Sequence, residues 1–86
     1  MMRFRVEDES MLPAFHEGDY VLVRPGTPHE GDVVVLRWKG EHIIKRVYLA
    51  DDGMYFVAGD NATASGRVGP VPREAIVGKV WLHAKK

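Results

Sequence analysis

The chain has 86 residues, 45% of them hydrophobic and 28% charged, a balance that excludes a disordered, collagen-like or coiled-coil protein and leaves room for one small domain, residues 1–86. Twelve Lys and Arg offset twelve Asp and Glu, so no excess positive field exists to neutralise phosphates, and no nucleic-acid partner is expected. The absence of Cys excludes disulfides, thiolate metal sites and a cysteine nucleophile, while no apolar run approaches the roughly 20 residues of a membrane span and the first residues lack the apolar core of a signal peptide, so no transmembrane segment and a cytoplasmic location are expected.

In chain order, strand-like runs rich in Val, Ile, Tyr, Phe and Trp occupy residues 4–6, 20–24, 33–38, 42–49, 54–58 and 76–83. Turn signals separate them: Glu17-Gly18-Asp19, Pro25-Gly26-Thr27-Pro28, Glu30-Gly31-Asp32, Lys39-Gly40, Asp51-Asp52-Gly53, Gly59-Asp60-Asn61 and Gly69-Pro70-Val71-Pro72. Short strands with tight turns predict an all-β, mainly antiparallel, coiled or barrel-like domain. At most one short helical turn is expected, starting at Ser10, whose hydroxyl can cap it and where Pro13 falls in the first turn.

Only two serines occur, Ser10 and Ser65. Ser10 lies where a strand gives way to a turn, so its hydroxyl faces either a cleft or, as a plain N-cap, its own backbone. Strand alternation sets Ile43, Lys45 and Val47 on one face and His42, Ile44 and Arg46 on the other. Lys45 thus sits between two β-branched side chains. Lysine acts as a base only as the neutral amine, which burial favours; the competing reading is a Lys that snorkels to solvent. Gly59-Asp60-Asn61 reads locally as a turn in which Asp60 and Asn61 bond their own backbone. The four histidines, His16, His29, His42 and His83, show no metal-ligand spacing, and neither a metal nor another cofactor is expected.

In order, Ser10-Met11-Leu12-Pro13, Glu17-Gly18-Asp19, Gly31-Asp32-Val33-Val34, Ile44-Lys45-Arg46-Val47, Gly59-Asp60-Asn61 and Gly69-Pro70-Val71-Pro72 resemble the Ser-Lys peptidases that include type I signal peptidases and LexA-type repressors. The likeness runs over roughly residues 6–80. The Gly-Asp-Asn box with Ser65 beyond it is similar to the signal-peptidase branch. The resemblance implies a LexA/signal-peptidase β-domain and a serine endopeptidase that processes a precursor polypeptide through an acyl-enzyme, the substrate bound as an extended strand. It makes Ser10 the nucleophile, with its amide donating to the oxyanion, and Lys45 the general base. Ser65 would orient Lys45, Met11 would line the floor beneath the substrate, and Asp60 would fix the loop carrying Ser65. Two departures stand out. Asp8 occupies a position where the family usually has Gly or Ser, and a carboxylate cannot donate to an oxyanion; Ser65-Gly66-Arg67 is shorter than the family's stretch before the Arg. The alternative these departures raise is a non-catalytic peptide-binding or assembly module on the same fold. Exposed strand edges would permit a monomer or a dimer.

Overall fold

The computed structural model describes residues 2–63 and 66–85. The β-branched runs form strands β1 (Met2–Arg5), β2 (Tyr20–Arg24), β3 (Val33–Trp38), β4 (Glu41–Asp51), β5 (Met54–Ala58), β6 (Arg67–Pro72) and β7 (Ile76–Ala84). They make one sheet in the order β1-β2-β7-β3-β4-β5-β6, antiparallel at every pairing. The all-β expectation therefore holds.

Strand β3 explains why the sheet coils. Val33 and Val35 pack with Val6, Met11, Phe15, Val21 and Val23, whereas Val34 and Leu36, on the other face, pack with Val47, Tyr55, Val57, Val71 and Ile76. All four β3 residues are buried, each worth about 1.5–3 kcal/mol of apolar burial. A flat sheet of this size would leave one face wet. Twisting brings one end of the sheet over each face of its centre. Neighbouring residues on β4 follow the same division, with Ile43 and Val47 against the second cluster and Ile44 against the first.

Two tight turns set the register around β4. Lys39 (φ 52°) and Gly40 (φ 83°) join β3 to β4, with Trp38 opposite Glu41. Asp52 (φ 49°) and Gly53 (φ 76°) join β4 to β5, with Asp51 opposite Met54. Two successive positive φ values mark the hairpin turn whose twist matches that of its strands. This register puts Lys45 opposite Val34.

The structure corrects three details. Gly69-Pro70-Val71-Pro72, read as a turn, lies in strand β6. A strand at the end of the sheet hydrogen-bonds on one side only, so prolines without N–H groups cost it little there, and Val71, opposite Tyr55, is fully buried. The first strand spans Met2–Arg5, not residues 4–6. Residues 10–15 form turns instead of a helix, with the Leu12 N–H donating to the Glu9 carbonyl (3.1 Å) and the Phe15 N–H to the Met11 carbonyl (3.0 Å). Pro13 disfavours helical geometry at Leu12 and has no N–H of its own to continue a helix. The one helical element among the described residues is a 3₁₀ turn at Arg73–Ala75.

Candidate active site

The segment carrying Ser10 leaves β1 at Val6 and returns at Asp19. Its base is closed by the Val6 N–H donating to the Asp19 carbonyl and the Gly18 N–H donating to the Val6 carbonyl, both 2.8 Å. Asp19, only 4% exposed, accepts the His16 N–H at 2.9 Å and lies 2.7 Å from His83 Nε2 on β7. A buried carboxylate must be paired and hydrogen-bonded, and this one ties the returning end of the segment to β7.

The outer part of the segment is held from across the molecule by Gly59-Asp60-Asn61. The Asn61 backbone N–H donates to the Ser10 carbonyl at 2.8 Å, and its Nδ2 donates to the Glu9 carbonyl at 3.0 Å. Asn61 Oδ1 accepts the Thr63 N–H (3.2 Å) and hydroxyl (2.8 Å). Beside it, the Asp60 carboxylate receives Arg46 Nε and Nη2, both at 2.9 Å, and Arg46 Nη1 donates to the Gly31 carbonyl at 2.7 Å. This two-pronged contact with a carboxylate holds the Arg46 guanidinium above its ordinary range, partly offset by burial. Arg46 directly follows Lys45 on β4, so one short loop braces both the Ser10 turn and the strand that carries Lys45.

Between these elements lies a cavity of about 50 Å³. Ser10, Lys45, Asp8, Met11 and Ile43 line it, together with Arg5, Glu7 and His42. Ser10 is 3% exposed and Lys45 is half-buried. Met11, 1% exposed, is both core and cavity wall. The Asp8 carboxylate accepts the Ser10 N–H at 3.0 Å. That bond, above all, holds Asp8 below the usual carboxylate range; burial opposes it, and the Ser10 hydroxyl and the charge of Lys45 add to it.

A family model described as Peptidase S24-like matches residues 1–81. The chain belongs to the Peptidase S24-like family. Comparison with curated proteins gives no match. Membership carries the LexA/signal-peptidase-like superfamily and its peptidase-type fold; the choice of the signal-peptidase branch rests on the motifs alone.

In this S24-like domain the structure brings four of the expected site residues, Ser10, Lys45, Met11 and Asp60, into one neighbourhood, three of them on the cavity and Asp60 on its brace. Ser65 lies outside the described residues. Two expectations change. The cap of the turn is Asp8, not the Ser10 hydroxyl, and the Ser10 amide, expected to face an oxyanion, is taken by Asp8. An aspartate two residues ahead of an amide closes on it within its own turn, a pattern open to local reading. Asn61, the one Asn in the chain, reads locally as a turn residue and by resemblance as part of the Gly-Asp-Asn box; its reach to Glu9 and Ser10 depends on tertiary pairing. His42 borders the cavity with its ring 5.2 Å from that of Phe4. Among the described residues no group of three or more His, Asp and Glu could hold a metal ion, and no helix is long and apolar enough to cross a membrane.

Proposed function

We propose that this chain, as one domain over residues 1–86, is a serine endopeptidase that processes a precursor polypeptide by a Ser10/Lys45 dyad. The observation that carries the reading is that a hydroxyl and an amine from distant parts of the chain line one small cavity in an S24-like domain. A neutral Lys45 amine takes the Ser10 proton as Oγ attacks the scissile carbonyl carbon, and returns it to the departing amine. The resulting acyl-enzyme is hydrolysed by water that Lys45 deprotonates in the same way. Ser65 orients Lys45, Met11 floors the substrate channel, and Asp60 fixes the loop that leads to Ser65. No cofactor, metal or nucleic acid takes part, and the substrate is met in the cytoplasm.

Strand β1 ends the sheet order, and the residues that continue it, Val6, Glu7 and Asp8, line the cavity. An extended peptide pairing with that free edge passes alongside Ser10. A monomer suffices for this arrangement, and edge pairing into a dimer is compatible with it.

The test is an N-terminal peptide census by mass spectrometry of source-cell lysate treated with wild-type protein, Ser10→Ala or Lys45→Arg. New termini are expected with wild type alone, both variants losing at least about 10³-fold in rate; a guanidinium cannot release its proton to serve as base. A second reading, a non-catalytic peptide-binding or assembly module, is favoured by one observation: Asp8 already occupies the Ser10 amide. It predicts the same termini in all three samples, and peptides retained on Ser10→Ala and wild type alike.

A further inference from the structure

We infer that Asp8 is the resident occupant of the oxyanion position beside Ser10, and that substrate must displace its carboxylate before Ser10 can react. The inference rests on the peptidase reading above.

An acyl-transfer site stabilises the carbonyl oxygen that gains charge under attack, and the amide of the nucleophile itself is a donor close to that oxygen. Here that donor already faces an anion. Asp8 Oδ1 accepts the Ser10 N–H at 3.0 Å. The amide of the nucleophile is thus engaged by a neighbouring carboxylate. Ser10 is buried while Asp8 is exposed, so the Asp8 side chain can turn toward solvent while Ser10 stays pinned by Asn61. The other charged or titratable groups on the cavity are Arg5, Glu7, His42 and Lys45. As the Oγ–C bond forms, the carbonyl π pair moves onto oxygen, that oxygen takes the N–H which Asp8 gives up, and the Ser10 proton passes to Lys45. No further reactant is required.

The rival role for Asp8 is to cap the turn and nothing more. Two variants separate them, because Asn keeps a neutral acceptor for the Ser10 N–H and Ala removes it. The measurements are kcat and KM of wild type, Asp8→Asn and Asp8→Ala on a peptide spanning a bond found in the terminus census, with amide hydrogen exchange at Ser10 read by NMR. One oxyanion donor is worth on the order of 10²-fold in kcat. Freeing it is expected to raise kcat by at least about tenfold in Asp8→Ala, with Asp8→Asn between it and wild type. The Ser10 amide should also exchange faster in Asp8→Ala. A pure turn cap gives the reverse order, Asp8→Ala slowest and Asp8→Asn equal to wild type, and that result overturns the inference while leaving the peptidase reading intact. So does a Ser10 amide that exchanges no faster without the carboxylate. Absence of turnover in all three proteins overturns the peptidase reading and the inference with it. If Asp8→Ala does not fold, Asp8→Asn decides alone: a higher kcat supports the inference and an unchanged one overturns it.

Discussion

At the scale of single residues, Asn61 and Arg46 hold the Ser10 turn and the Lys45 strand together by different physics. Arg46 makes a charge-assisted pair, but its side chain is 39% exposed and that of Asp60 21%, so solvent screens the attraction and Arg46→Lys should lower stability by only about 1 kcal/mol. Asn61→Ala deletes the hydrogen bond to the Glu9 carbonyl and the two that close its own turn, for an expected loss of about 1–3 kcal/mol. Urea denaturation should give this ranking. If the proposed chemistry holds, Asn61→Ala should also lower kcat more than KM, because it frees the segment bearing Ser10 without touching the substrate edge. An Asn61→Ala protein as stable as wild type would mean that the turn is held by backbone bonds alone.

At the scale of elements, the contact between β2 and β7 leaves no room for a side chain at Gly78. A Cβ there would stand 2.7 Å from the Arg24 carbonyl oxygen and 2.7 Å from Val23 Cγ1. The oxygen is backbone and cannot swing aside, so Gly78→Ala should push the strands apart and cost about 1–3 kcal/mol. Gly66→Ala, with nothing within 4 Å of its Cβ position, is the control and should leave the urea midpoint nearly unchanged. Equal midpoints for the two variants would show that the strand pairing absorbs a methyl group. The same logic accounts for β6. Gly69 (φ 150°) has Phe56 Cδ1 2.8 Å from its Cβ position, so a strand containing two prolines and a crowded glycine is tolerated at the sheet's end, where its outer side needs no partner.

At the scale of the whole molecule, acid should weaken the fold through carboxylates that the fold holds ionised. Burial pushes Asp32 up, but the His29 N–H and the Lys79 ammonium outweigh it, and the carboxyl ends below its ordinary 3.8; Lys79 Nζ lies 3.1 Å away. Asp8 is lowered from the same value, first by the Ser10 N–H. A carboxyl lowered in the folded state contributes stability that is complete above the unfolded value, near pH 4, and is lost as pH falls through the folded one. The urea midpoint should therefore be level from pH 7 to about 5 and fall as the pH drops below about 4. Asp32→Asn should lower the neutral-pH midpoint and flatten that fall, since Asp32 joins the β2–β3 connection to β7. A fall equally steep in Asp32→Asn and wild type would assign the acid sensitivity to other groups.

The amino-acid sequence by itself determined that this protein is built from antiparallel strands, because β-branched runs and Gly- or Asp-containing turns act within a few residues of one another. The Lys39-Gly40 and Asp52-Gly53 hairpins and the two faces of β4 are local in that sense, and the motif order from Ser10 to Gly69-Pro70 carried the family likeness. Only the tertiary structure decided that Gly69-Pro70-Val71-Pro72 is a strand, since the penalty on proline depends on whether a neighbour lies on its N–H side. It alone decided that Asn61 grips the Ser10 turn and that Arg46 clamps Asp60, because such bonds join residues brought together by the coiling of the sheet and leave no periodic trace in the chain. The Asp8 contact lies between these cases: its i to i+2 spacing is local, but its meaning depends on the cavity that Lys45 and the same serine both line.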